Sequence, residues 1–239
     1  MSEAPISTIA VLAGGIATRM RPLTETVPKA LLEVAGEPFI AHQLRLFRRE
    51  GITRVILCVG YLGQQIAEFV GDGSHFGLAV TYSFDGEPLL GTGGALRKAL
   101  PHLGERFYVI YGDSYLDVPY APAAMHYLQS GKDGLMTVFR NEGRWDTSNV
   151  AFENGTILAY SKTSKRSGML YIDYGLGILK ASTLLAYGEH DAFDLAIVYG
   201  ALIARGQLAG YEALHRFYEI GSPAGLAETS AYIASKDRG

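Results

Sequence analysis

The residues able to do chemistry in this chain of 239 residues sit in a handful of short stretches far apart in sequence. The first is Ile9–Leu32, IAVLAGGIATRMRPLTETVPKALL, where an apolar, β-branched run ends in Gly14-Gly15 and gives way to Arg19, Arg21 and Lys29. A strand that stops in glycines and then presents cations builds a phosphate-binding loop. Glycines let backbone N–H groups approach an anion, and the cations neutralise it. Pro22 and Pro28 stiffen the segment, and the immediate neighbours of Lys29 are apolar. No Gly-Lys-Ser/Thr closes the loop, so it is not a Walker A element. It lacks the spaced third glycine of a dinucleotide fingerprint, and the next long apolar run, Arg54–Val59, ends in Gly60-Tyr61 instead of an acid for a ribose hydroxyl. A nicotinamide-dependent dehydrogenase is disfavoured on both counts.

Five further stretches add functional groups. Glu87-Pro88-Leu89-Leu90-Gly91-Thr92-Gly93-Gly94 reads as a glycine-rich turn opening a helix, able to present backbone donors to a ligand. In Tyr111-Gly112-Asp113-Ser114 an aspartate lies just past an apolar strand, where open α/β sheets bind ligands. Arg216-Phe217-Tyr218-Glu219-Ile220-Gly221-Ser222-Pro223 sets an acid among aromatic and aliphatic neighbours before a helix start that Ser222 can cap. Between these lie Tyr160-Ser161-Lys162 and Tyr171-Ile172-Asp173-Tyr174-Gly175. Lys162 also reads as a solvated lysine in a basic run with Lys165 and Arg166. The six histidines form no triad or metal spacing with the single cysteine, Cys58, which reads as a buried strand thiol.

Taken together, LAGGIATRMRPLTETVPKALLEVAGEPFI resembles the signature of the sugar-1-phosphate nucleotidyltransferases, the NDP-sugar pyrophosphorylases, and the later stretches continue the likeness to Glu219. The resemblance implies that the turn of Leu12, Ala13, Gly14 and Gly15 wraps a nucleoside triphosphate. It implies that Arg19 holds the β and γ phosphates and that Lys29 holds the reacting ones. The second loop, with Gly91, Thr92 and Gly93, would also contact the nucleotide. Glu87 would accept from guanine N1–H and N2–H₂, donors that uracil cannot match in number. Asp113 and Glu219 would hold Mg²⁺; Glu219 replaces the family aspartate and keeps the hard oxygen that Mg²⁺ prefers. Lys162 would meet the sugar phosphate, with Asn149, Asp173 and Gly175 at the sugar. Arg19, Lys29 and Asp113 are thus the expected catalytic set. One departure stands out: Ala17 occupies the second family glycine, and a left-handed backbone there would be strained.

The elements that must position these groups follow from period and punctuation. Ile6–Leu12, Arg54–Val59, Leu78–Ser83 and Phe107–Tyr111 read as strands, separated by helices over Pro38–Glu50, Gly63–Val70 and Gly94–Leu100. Strands alternating with helices imply parallel crossovers. In the second half, Met136–Arg140, Val150–Glu153, Ile157–Tyr160 and Leu170–Leu179 read as strands. Asn154-Gly155 marks a hairpin, and helices run over Ala192–Ala204 and from Pro223. The expected fold is α/β: a Rossmann-like, mixed but mostly parallel sheet flanked by helices, of GT-A type, with a small C-terminal sugar-binding lobe. One domain spans 1–239, with residues 1–118 as the nucleotide-binding half and 119–239 as the sugar-binding half.

Charged residues make up 19% of the chain and the formal net charge is -3, so no global basic field draws in nucleic acid, and phosphate must be held by local cations. No membrane-spanning run and no basic leader are present, one cysteine excludes an internal disulfide, and a cytoplasmic protein is expected. No hexapeptide-repeat tail follows, so an attached acyltransferase is not expected. The implied partners are an NTP, GTP foremost, and a sugar 1-phosphate, with no nucleic acid and no membrane; a homodimer is compatible with the sequence. The look is that of guanylyltransferases for heptose or mannose 1-phosphate. Uridylyltransferases acting on an amino sugar or N-acetylmuramate 1-phosphate are the alternative, and a non-catalytic nucleotide-sugar-binding regulator stands outside both.

Overall fold

The computed structural model describes residues 5–163 and 168–236. The first half comprises β1 (Thr8–Ala13), β2 (Glu33–Val34), β3 (Glu37–Pro38), α1 (Phe39–Arg49), β4 (Arg54–Val59), α2 (Gly63–Val70), β5 (Ala79–Phe84), α3 (Gly91–Leu103), β6 (Arg106–Tyr111) and β7 (Ser114–Tyr115). Then come α4 (Ala121–Ser130), β8 (Gly134–Arg140), β9 (Val150–Glu153), β10 (Thr156–Tyr160), β11 (Tyr171–Lys180), α5 (Leu195–Ala204), β12 (Leu208–Ala213), β13 (Tyr218–Glu219) and α6 (Pro223–Lys236).

Among the described residues nine strands make one sheet in the order β5-β4-β1-β6-β11-β8-β12-β10-β9. The four strands that the first half gives this sheet, β5, β4, β1 and β6, run parallel, as the alternation of strands and helices predicts. Beyond them β11 pairs antiparallel with β6 and β8, and β12 runs parallel to β8. The strands expected in a C-terminal lobe therefore extend the same sheet. Period-two alternation feeds both faces. Ile9 and Val11 of β1 join Ile40, Leu44 and Phe47 of α1 in one core, and Ala10 joins Ala95, Leu96 and Ala99 of α3 in the other.

Most boundaries follow local chemistry. β4 and α2 match expectation to the residue, and Asn154-Gly155 takes positive φ at both positions, 47° and 77°, as a type I′ hairpin turn requires. α3 begins at Gly91, earlier than expected, because the Phe193 carbonyl accepts the N–H groups of Gly93 (2.9 Å) and Gly94 (3.3 Å) and closes its first turn. α5 begins at Leu195, later than expected, because the Asp194 carboxylate caps it by accepting the Ala196 N–H at 2.7 Å. α4 and β12 carry weak signatures: APAAMHYLQS is rich in small residues with no sharp apolar stripe, and LAGYEA holds a glycine mid-strand.

A second, two-stranded ribbon pairs β13 with β7, setting Glu219 opposite Ser114 and Tyr218 opposite Tyr115. A small core of Phe39, Leu46, Tyr115, Ile220 and Ile233 lies beneath it. Asp117 pins α6 to α1, pairing with Arg49 and Lys236 and accepting the Tyr232 hydroxyl at 2.6 Å. Burial opposes its charge, but the bonds from Lys236, Tyr232 and Arg49 prevail and hold the carboxyl down to about 2.

Candidate active site

At the carboxyl ends of β1, β4, β5 and β6 a cavity of about 220 Å³ opens, where an open α/β sheet offers a ligand crevice. Its wall includes Leu12, Ala13, Gly14 and Gly15 from the β1 turn, Lys29, Asp85, Gly91 and Thr92, and Tyr111 with Asp113. Cys58 is fully buried in the same wall, and burial pushes its thiol up, which fits the expected inert strand cysteine.

The β1 turn is open. A Cβ built on Gly15 would meet nothing within 4 Å, so its backbone is free for a ligand. Gly14 is different: a Cβ there would stand 3.2 Å from both the Asp85 carboxylate and the Gly60 nitrogen. Ala17 takes φ 54° and ψ 44°, the left-handed conformation that the missing glycine made a concern. Its carbonyl is held by the buried Thr24 hydroxyl at 2.9 Å. Those surroundings keep a strained residue in place.

Cations and acids separated by up to two hundred residues converge at the cavity mouth. Lys29 Nζ lies 2.9 Å from Asp113 Oδ2, with only 19% of the lysine side chain exposed. The Cβ position of Gly221 is 2.5 Å from Glu219 Oε2, 3.3 Å from Asp113 Oδ2 and 3.5 Å from Arg19 Nη2, so both acids and the guanidinium face one small space that only glycine leaves clear. Glu219 also accepts the Ser222 hydroxyl at 2.9 Å and the Gly221 N–H. Ser222 in turn caps α6 through the Gly225 N–H at 3.0 Å, as its sequence position predicts. No cluster of three or more His, Cys, Asp or Glu suited to a metal occurs among the described residues. Two carboxylates with phosphate oxygens do suit Mg²⁺, which keeps few protein ligands, so the donor set at Asp113 and Glu219 fits that ion.

The second loop behaves otherwise. Gly91 and Thr92 reach the cavity wall, but Gly93 does not. Its N–H is taken by the Phe193 carbonyl, and a Cβ on it would fall 2.3 Å from the Phe193 ring. Gly93 is required by the chain's own packing and not by ligand approach. Glu87, expected at the base, is exposed and stands outside the cavity wall. The acid between β5 and this loop that does line the wall is Asp85, one residue past β5 and 7% exposed. Its Oδ2 accepts the Leu90 N–H at 3.3 Å, while Oδ1 is buried with no partner. Burial raises its carboxyl above the usual range against the pull of the Leu90 N–H and Lys98. The signal that could have found it is position: an acid one residue past a parallel strand is better placed than one three residues past.

Among the residues expected at the sugar, Asp173 is part-buried under the hydroxyls of Tyr160 (3.2 Å) and Tyr111 (3.5 Å). Burial raises its carboxyl, opposed by the Gly175 N–H, Lys162 and the two tyrosines. Asn149 Oδ1 accepts the Asp173 N–H at 2.9 Å, so it braces the acid. Gly175 is buried, and a Cβ there (φ +93°) would press on Ser114 Oγ at 3.2 Å, so this glycine serves the packing of β11 against the Asp113 turn and is not open to a sugar. Lys162 pairs with Asp194 at 2.8 Å and lies over the Tyr111 ring, 5.5 Å from its centroid, at the cavity edge. Lys165 and Arg166, the rest of the basic run, lie outside the described residues.

With that geometry in hand, comparison with known proteins is informative. N-acetylmuramate alpha-1-phosphate uridylyltransferase of Neisseria meningitidis serogroup B is 41% identical over 114 residues, 47% of this chain and 49% of that protein. Mannose-1-phosphate guanyltransferase beta-A of Xenopus laevis is 29% identical over 219 residues, 89% of this chain and 61% of that protein. The chain thus spans between about half and three-fifths of the length of these relatives. The crystal structure of HddC from Yersinia pseudotuberculosis complexed with GMP-PN superposes with a TM-score of 0.78 at 22% identity, covering 95% of this chain and all of that one, a likeness of fold. The model of the family described as "Nucleotidyl transferase" matches residues 9–149, more than half of the chain, from β1 to Asn149 beside Asp173, and the protein belongs to that family.

Proposed function

We propose that the protein transfers a nucleoside monophosphate from an NTP to a sugar 1-phosphate, releasing pyrophosphate, and that its preferred pair is GTP with a heptose or mannose 1-phosphate. The observation that carries the reading is the convergence of Lys29, Arg19, Asp113 and Glu219 at the mouth of a cavity walled by the β1 turn. An oxygen of the sugar phosphate attacks the α-phosphorus, and the bond from that phosphorus to the α–β bridging oxygen breaks. The nucleophile is already an anion, so no general base is needed; the barrier is repulsion between anions and their alignment. Lys29, tied to Asp113, presents a preset cation to the reacting phosphates, and exposed Arg19 stands ready for the departing pyrophosphate. Asp113 and Glu219 would hold Mg²⁺, which would supply further charge neutralisation on the phosphate oxygens. Lys162 lies over Tyr111 toward the sugar phosphate, with Asp173 as the acceptor for sugar hydroxyls. The reaction is read as a cytoplasmic one, where a free Cys58 stays reduced. Among the described residues no helix is long and apolar enough to cross a membrane.

Asp85 supports guanine. A buried carboxylate with one unpaired oxygen accepts two donors from guanine N1–H and N2–H₂, whereas uracil offers N3–H alone. The uridylyl alternative, with an amino-sugar or N-acetylmuramate 1-phosphate, is favoured by the likeness of part of the chain to the Neisseria protein. A non-catalytic regulator would have no use for a guanidinium and two acids facing one space, with a lysine tied to one of the acids. The test is a matrix of each NTP with Mg²⁺ against a panel of sugar 1-phosphates, read by pyrophosphate release. Release should be fastest with GTP and heptose or mannose 1-phosphate, and Asp85→Asn should cut the GTP preference about tenfold. A UTP-only signal would move the reading to uridylyl transfer, and silence across the panel would leave the regulator.

A further inference from the structure

We propose that Gln43 of α1 and Thr229 of α6 are positioning residues that set Asp113 and Glu219 relative to one another; this rests on the nucleotidyl transfer read from the same site. Neither side chain touches the cavity. Gln43 is 1% exposed, and its Nε2 donates to the carbonyls of Ser114 (2.9 Å) and Tyr111 (3.3 Å), which bracket Gly112-Asp113. The amide orientation is determined by this pair of acceptors, since a flip would set oxygen against oxygen. Thr229 is 0% exposed, and its hydroxyl donates to the Glu219 carbonyl at 2.9 Å. Between the two clamps runs the β7–β13 ribbon, with Glu219 opposite Ser114 and the Ile220 N–H on the Asp113 carbonyl at 3.0 Å. The acids thus ride on a two-rung ribbon too short to define its own geometry, gripped by one buried polar group from each flanking helix.

The state of Gln43 argues against mere packing. Its Oε1 is buried with no partner, a condition that costs stability and that a methionine of similar shape would avoid. Its two donor bonds hold the turn that carries Asp113, and a methionine would leave the Tyr111 and Ser114 carbonyls without them.

The test uses the full chain with Gln43→Met, Thr229→Val and Thr229→Ser, each checked by thermal melting. Mn²⁺ binding in the presence of GTP is followed by electron paramagnetic resonance, and pyrophosphate release is titrated with Mg²⁺. Gln43→Met should raise the Mn²⁺ dissociation constant and the Mg²⁺ half-saturation about tenfold while leaving the choice of base unchanged. Thr229→Val should raise both about threefold, and Thr229→Ser, which keeps the hydroxyl, should match the wild type. Folded Gln43→Met and Thr229→Val proteins with wild-type metal dependence would overturn the inference and leave the function standing. Equal shifts in Thr229→Val and Thr229→Ser would overturn it too, as packing alone. If wild-type protein is inactive with every sugar 1-phosphate, the function reading fails, and Mn²⁺ binding decides the positioning by itself: weaker binding in Gln43→Met upholds it. Unchanged binding, or no binding by the wild type, ends it.

Discussion

Two glycine-rich turns end up with opposite jobs. The turn after β1 is open: Gly15 has no atom within 4 Å of where a Cβ would stand, and the backbone there faces the cavity. In the turn that opens α3, the Cβ positions of Gly93 and Gly94 are each 2.3 Å from the chain, one on the Phe193 ring and the other on the Asp191 carbonyl. Both turns meet the same local description, glycines between a strand and a helix. Glycine reports that something comes close; whether that is a ligand or the protein itself depends on what the rest of the chain folds against it.

The comparison can be broken most decisively at the cations and acids facing the open turn. Lys29→Ala and Asp113→Ala should each lose about 10²–10³ in turnover with the fold intact, measured by pyrophosphate release and circular dichroism. Near-wild-type turnover in either would mean that the open turn faces no reaction. The closed turn should fail the other way. Gly94→Ala should cost about 2 kcal/mol in a denaturant melt, because the clash is with a backbone carbonyl that cannot swing aside. Gly15→Ala should leave stability within about 0.5 kcal/mol and instead raise the NTP KM. If the two glycines swapped these signatures, the assignment of ligand-facing and chain-facing turns would be reversed. The smallest effect is expected at Ala17. Ala17→Gly removes about 1–2 kcal/mol of left-handed strain and adds about 0.5–1 kcal/mol of unfolded-chain entropy, a net gain of about 0.5 kcal/mol. A loss of stability there would show that the Thr24 bond, and not glycine-like freedom, shapes the open turn.

The acids divide in the same manner. Glu87 stood in the motif and proved exposed; Asp85, two residues earlier, is buried in the cavity wall. Both lie beyond the last residue of β5, Asp85 by one residue and Glu87 by three, and the nearer one is enclosed by the Leu90 N–H and the Gly14 turn. The second half repeats the lesson at larger scale. Its strands were legible one by one, but their joining of the first sheet through β11 against β6 was not, since strand pairing is a long-range choice.

The sequence by itself determined the parallel first half, the open glycine turn after β1, the strained Ala17, the type I′ hairpin and the acids on either side of the chain's middle. These follow from period, turn chemistry and residue type, which act over a few residues. Only the tertiary structure decided that Arg19, Asp113 and Glu219 face the one space left clear at Gly221, that Lys29 is tied to Asp113, and that Gln43 and Thr229 hold the ribbon beneath. Such contacts are set by how buried faces pack, and no local pattern contains them.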